Sequence, residues 1–216
     1  MYWIRNIAYH APGGSTRMTN GAAGVLFYNN TILTETSAGS SANAHWRNNL
    51  MLGENSAPAI FSVNTNTNYS SSDYNGFRPN AGAPFSFQWN SPPRNIPADY
   101  SGLLRGGPGR GGAPNSALET RQFTTLAEYS RATNQDQHSV VVDYGIFVKV
   151  PRLDAKDLKS VQKLYKAEDL DFRLKPDSPA VDRGVVLHNV TDGFSGQAPD
   201  LGALEVGQAL PHYGPR

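Results

Sequence analysis

The run His45-Trp46-Arg47 sets an imidazole and a guanidinium on either side of a large aromatic ring, and Arg5 and His10 stand in a similar phrase near the start of the chain. Imidazole moves protons near neutral pH, and guanidinium grips carboxylates through a planar fork of donors. Asp73 and Glu54, with Glu35 ahead of them, supply carboxylates that could act as acid and base if the fold brought them to one groove. Tyr9, Tyr28 and Trp46 offer flat surfaces for a ring-shaped ligand, as do Trp3 and Trp89. Each type also has a plainer use. Arginines beside turns are commonly solvated, His45 can simply bond to a loop, and Asp73 in "SDYNG" suits the cap of a turn. Taken singly, these residues fit the plainer use better, so any chemistry depends on what brings them together.

Three phrases point to the elements that would do so: "YWIRNIAY" from Tyr2, "FYNNTILT" from Phe27 and "WRNNLMLG" from Trp46. Alignment places Asn6, Asn30 and Asn49 in one column, and "SSDYNGF" adds Asn75, at intervals of 24, 19 and 26 residues. Such spacing is close to the length of one coil of a parallel β-solenoid, built of short strands at about 3.3 Å per residue. Leucine-rich repeats overlap this range, but their leucine signature is missing. Short apolar runs such as "GVLFY" and "AIFSV", bounded by Gly, Ser, Asn and Pro, read as strands. The fold class expected is therefore all-β. Asparagine tolerates the left-handed backbone of a sharp bend, and its amide can donate to one coil while accepting from another. Stacked at one corner, the four would form a hydrogen-bonded ladder, with Ile7, Thr31 and Leu50 entering the next strand. Coils in register would then project Arg5 and Arg47 near one another, with Asn29 between, as a basic strip suited to an acidic sugar.

Composition agrees with a turn-dense β chain: 216 residues, 38% hydrophobic, with 21 Gly and 15 Pro. Nineteen basic and eighteen acidic residues leave a net charge of +1 without any block of one sign, which argues against nucleic acid as a partner. No window approaches a membrane-spanning apolar length. The absence of cysteine excludes disulfides and thiolate metal sites but not an oxidising compartment. The start, "MYWIRNIAYHAPGG", has no signal-peptide pattern, so the chain is expected to be cytosolic or part of a longer exported precursor. "LRGGPGRGG" lacks the Lys-Ser/Thr ending of a phosphate loop, and neither His-Glu-x-x-His nor Gly-x-Ser-x-Gly occurs.

The phrases "DFRLKPDSPAVDRGVV" and "GQAPDLGALEVG", together with the asparagine coils, resemble the right-handed parallel β-helix, or pectate-lyase-like, superfamily. The likeness covers roughly residues 1–80 and 168–207 and speaks to fold more than to activity. It implies a right-handed parallel β-helix with a C-terminal cap containing one or two short helices. It further implies a carbohydrate-active protein, secreted or periplasmic as part of a longer precursor, that binds and cleaves a polysaccharide or oligosaccharide in a groove on the solenoid face. A lyase would use basic residues to remove the proton alpha to a uronate carboxyl, and a hydrolase would use two carboxylates. His45, Arg47, Arg5, His10, Asp73 and Glu54 are then the catalytic candidates, and Trp46, Tyr9 and Tyr28 the sugar-binding ones. The rival implication is a noncatalytic recognition or structural module, or the terminal piece of a larger enzyme. Asp182 and Asp200 fall in the closing phrases; with Asp192 they could gather calcium, although a turn role for each is the stronger reading.

The chain divides into coils over residues 1–80, a Pro/Gly-rich stretch over 81–122, and a capping segment over 123–216 packed on the same domain. "TTLAEYSRAT" predicts a helix capped by Thr124 or Thr125, "HSVVVDYGIF" a strand, and "DAKDLKSVQKLYKAEDL" a loose helix before the strand "DFRLK". The last coil needs a cover for its apolar cross-section, and the C-terminal part supplies one. The first coil has no such cover, so self-association through the N-terminal coil is expected.

Overall fold

Each asparagine phrase folds as a bend between two short strands. The computed structural model describes residues 1–11, 16–19, 22–53, 59–80, 82–93, 118–154 and 156–210. The first phrase gives β1 (Tyr2–Ile4) and β2 (Ile7–Ala8); the second gives β3 (Thr16–Met18), β4 (Ala22–Tyr28) and β5 (Thr31–Ile32). The third gives β6 (Thr36–Arg47) and β7 (Leu50–Leu52), and the fourth β8 (Phe61–Thr65), β9 (Ser71–Asp73) and β10 (Gly76–Arg78). Beyond them come β11 (Phe87–Asn90), β12 (Gln122–Phe123), helix α1 (Leu126–Thr133), β13 (Val140–Val141), β14 (Phe147–Lys149), helix α2 (Leu158–Gln162) and β15 (Asp171–Leu174). The stretch "LRGGPGRGG" lies outside the described residues.

Strands β1, β4, β6, β8 and β11 pair in parallel, β3 and β9 also lie parallel to β6, and β12 joins antiparallel to β11, so this sheet is mixed. A second sheet, in the order β13-β10-β7-β5-β2, is parallel throughout. Strands β14 and β15 form a separate antiparallel pair. The protein is mostly β, with few helices. Ile7, Thr31, Leu50 and Gly76 occupy one line across the second sheet, as the spacing of the phrases predicts.

The asparagine column is continuous. The backbone N and Nδ2 of Asn6 both donate to Asn30 Oδ1 at 3.0 Å. Asn30 repeats this on Asn49 Oδ1 at 3.0 and 2.9 Å, and Asn49 on Asn75 Oδ1 at 2.9 Å. The amides also tie neighbouring strands, through Asn30 Nδ2 to Trp3 O and Asn49 Nδ2 to Phe27 O. At the last rung Asn75 Nδ2 donates to the fully buried Asp136 Oδ1 at 2.9 Å, and Ser139 and Tyr129 hydroxyls donate to the same carboxylate. Burial pushes the Asp136 carboxyl above its ordinary value, and these donors oppose the shift. The left-handed backbone falls one residue earlier than the sequence suggests: Arg5, Asn29, Asn48 and Tyr74 have φ of 56°, 51°, 57° and 56°. The ladder asparagine follows the kink, and its predecessor accommodates it.

Alternation sorts the side chains. Between the sheets Val25, Phe27, Trp46, Met51, Phe61, Val63, Phe77 and Phe87 form one apolar core. On the outer side of the second sheet Leu33, Leu50 and Leu52 pack against Val142, Ile146, Phe147, Leu174 and Leu201. That sheet is thus buried on both faces, and the C-terminal segment is its cover. Gly202 N bonds Asn48 O, and Ala203 N bonds Thr31 Oγ1, so the closing phrase runs along the bends between the strands. The end of the inner core is met instead by α1, whose Tyr129 stacks on Phe87 at 5.1 Å. Its N-terminus is the predicted one: Thr125 Oγ1 accepts from Glu128 N, and Glu128 Oε2 accepts from Thr125 N. "HSVVVDYGIF" is not one strand, because Asp143 caps a single 3-10 turn at Tyr144–Ile146 between β13 and β14.

Asn49→Ala strands the donors of Asn30 and the acceptor of Asn75 in a dry column, whereas Asn6 is exposed. Urea unfolding is expected to show a loss of about 3 kcal/mol for Asn49→Ala and under about 1 kcal/mol for Asn6→Ala.

Candidate functional site

The outer face of the first sheet carries the polar residues. Strand β6 ends with β4 on one side and β9 on the other, which aligns Leu26, His45 and Ser71 on one line and Tyr28, Arg47 and Asp73 on the next. Alternation turns Trp46 into the core and His45 and Arg47 outward, both partly exposed. Ser71 Oγ lies 2.8 Å from His45 Nδ1, and His45 Nε2 lies 3.0 Å from Asn43 Oδ1. Arg47 donates through Nη2 to Ser71 Oγ and through Nη1 to Trp46 O, each at 2.7 Å. A carbonyl oxygen only accepts, so Nε2 carries the proton of the neutral imidazole, and Nδ1 accepts from the Ser71 hydroxyl. Burial lowers the His45 pKa below its ordinary 6.5, and the Arg47 charge lowers it further. Burial raises that of Tyr28, with Arg47 opposing. The strip therefore presents a neutral base, a hydroxyl and a fixed cation together.

Asp73 sits at the edge of this strip and serves the turn. Its Oδ1 accepts from Tyr74 N at 2.9 Å and His138 N at 2.8 Å, while Oδ2 meets His138 Nδ1 at 2.8 Å. The His138 ring stacks on Tyr74 at 4.6 Å. Glu54 lies outside the described residues, so the carboxylate pair has one described member. Glu35 is partly buried just ahead of β6.

Arg5 does not join the strip. The register pairs Ile4 with Tyr28 and Tyr28 with Arg47, one residue out of step with the expected alignment. As a left-handed corner residue, Arg5 turns to the closing segment, donating to Val190 O at 3.0 and 3.3 Å and to Ala203 O at 3.2 Å. Trp46 is no sugar platform: its exposure is 0%, and it packs edge-on against Phe61 and Trp89. His10 and Tyr9 follow β2 in the other sheet, apart from His45. They help line an open cleft of about 390 Å³ with Ile7, Lys163, Tyr165 and Phe172. There Tyr9 Oη donates to Pro151 O at 2.7 Å, His10 Nε2 meets Ser160 O at 3.1 Å, and Lys163 Nζ stands 4.8 Å from the Tyr165 ring centre. Burial, with Tyr165 adding to it, pushes the Tyr9 phenol far above its usual range.

The aspartates of the closing phrases are committed to backbone amides. Asp182 Oδ1 accepts from Gln197 N and Ala198 N, Asp200 from Asp182 N and Val206 N, and Asp192 from Asn189 N. Among the described residues no group of three or more His, Cys, Asp or Glu is placed to hold a metal ion, and no helix is long and apolar enough to cross a membrane.

Ser71 and Asn43 complete the strip and escape the sequence reading, since neither belongs to a recognised motif. The signal was present in the spacing. Ser71 follows His45 by 26 residues, the same interval that joins Asn49 to Asn75, so carrying the ladder period to its neighbours would have paired them. No protein-family model, no curated protein and no solved structure matches this chain.

Proposed function

We propose that the two sheets are faces of one right-handed parallel β-helix of the pectate-lyase-like kind, and that the protein binds and cleaves an acidic polysaccharide along the outer face of the first sheet. The observation that carries this reading is the pairing of a neutral His45 with the Arg47 guanidinium on one partly exposed strand face. A uronate fits that pair. Arg47 receives the carboxylate and draws charge from the carbon beside it, and His45 accepts the proton released from that carbon. Loss of the proton expels the glycosidic oxygen, which takes up a proton from water, and leaves a double bond in the sugar, which absorbs in the ultraviolet. An exported precursor is the setting that gives such a groove its substrate.

The noncatalytic alternative is favoured by the second cleft. Tyr9, Tyr165 and Phe172 offer faces and edges to a sugar ring there, with Lys163 beside them for an acidic group. Association belongs to the same proposal. The outer edge of β1 carries no paired strand among the described residues, and Tyr2 beside it is 73% exposed, which supports docking of a second copy.

Incubation with a panel of polyuronates is expected to raise ultraviolet absorbance, and Arg47→Ala and His45→Ala are each expected to lower that rate about 100-fold with circular dichroism unchanged. Full turnover in both variants rejects the assignment; binding without product favours the recognition module. Because the neutral imidazole is the active form and its pKa is lowered, the rate should climb with pH below 6.5 and be level at neutrality. Light scattering at high concentration should find a dimer, and a strict monomer removes the association.

A further inference from the structure

We propose that Ser71 is a nucleophile and that the strip transfers acyl groups, removing ester substituents from a sugar. The chain of contacts runs one way: Ser71 Oγ to His45 Nδ1 at 2.8 Å, and His45 Nε2 to Asn43 Oδ1 at 3.0 Å. This is a nucleophile, a base within hydrogen-bond reach, and a third group that fixes the tautomer of the base. Asn43 is itself set by its left-handed backbone, φ 51°, within β6, and β9 holds Ser71 opposite His45 through the ladder register. Arg47 Nη2, 2.7 Å from Ser71 Oγ, is the donor on hand for negative charge at the reacting centre. The lowered pKa of His45 keeps the ring unprotonated, and so free to accept the serine proton, at neutral pH. The use of an ester borne by a sugar rests on the polysaccharide reading above, while the acyl transfer does not.

The step balances without a co-reactant other than water. Ser71 Oγ attacks the ester carbonyl carbon as its proton passes to His45 Nδ1. The tetrahedral centre collapses, the bond to the sugar oxygen breaks, and that oxygen takes the proton from Nδ1. Water then attacks the acyl-Ser71 ester with His45 again accepting the proton, and release of the acid restores the serine hydroxyl. Throughout, the Nε2 proton stays on Nε2, donated to Asn43 Oδ1. In this scheme Ser71 and His45 are catalytic, and Asn43 is a positioning residue.

A fluorophosphonate tests the nucleophile directly, because Ser71 attack on phosphorus expels fluoride and leaves a stable adduct that peptide mass spectrometry locates. A single adduct on Ser71 of the full chain is expected, with Ser71→Ala abolishing it and His45→Gln slowing it about 100-fold. Asn43→Asp should keep the reaction and move its pH limb upward, since a carboxylate raises the His45 pKa; a merely structural Asn43 would leave the limb in place. Acetate release from an O-acetylated polysaccharide is expected to vanish with Ser71→Ala. Absence of an adduct on folded protein, or labelling at the full rate in His45→Gln, overturns the proposal. An adduct without acetate release upholds Ser71 as nucleophile and removes the polysaccharide ester as its substrate, so the two failures are told apart.

Discussion

The architecture depends on one repeated contact, an asparagine whose Oδ1 accepts two N–H groups from the rung before it and whose backbone N–H and one Nδ2–H go to the rung after it. Each bend turns backbone groups into the buried interior, and an unpaired buried amide is destabilising by about 1–3 kcal/mol. The column satisfies them while fixing register, because a slip of one residue would move an apolar side chain into the ladder and a polar one into the core. The consequence reaches the surface. The register that stacks Asn30 on Asn49 and Asn75 also brings Tyr28 beside Arg47 and His45 beside Ser71.

The two sheets meet different surroundings, and that difference selects where chemistry can occur. The second sheet is pressed between the inner core and the C-terminal segment, so Leu50 and Leu52 are as dry as Met51 between them. The first keeps a polar outer face, where His45, Arg47 and Ser71 remain partly exposed. Burial there is deep enough to depress the imidazole and shallow enough for a ligand to reach it. Arg5, expected in that strip, instead fastens the closing segment at Val190 and Ala203, so its charge is part of the scaffold.

How much was legible in the sequence follows from which features are periodic. The ladder, the strand after each bend and the capping box at Thr125 and Glu128 rest on short-range spacing, and all three are present. The direction of a side chain is harder to read, because one residue of uncertainty in register exchanges inside for outside. That exchange accounts for Trp46, an apparent platform that is core, and for Arg5, out of step with Arg47. The path of the closing phrase along the bends depends on contacts between residues far apart in the chain, such as Ala203 with Thr31, which no local pattern encodes.

The column also has polarity. Along it Asn6, Asn30 and Asn49 each give one Nδ2–H to the Oδ1 of the next rung, ending at Asn75, so their dipoles add head to tail as peptide dipoles do along a helix. The positive pole arrives at Asp136, and a carboxylate is the group that such a pole favours. Each interior rung passes the same pattern onward. The terminus is different: only an acceptor without a further demand for a partner can stop the series, and Asp136 is that stop.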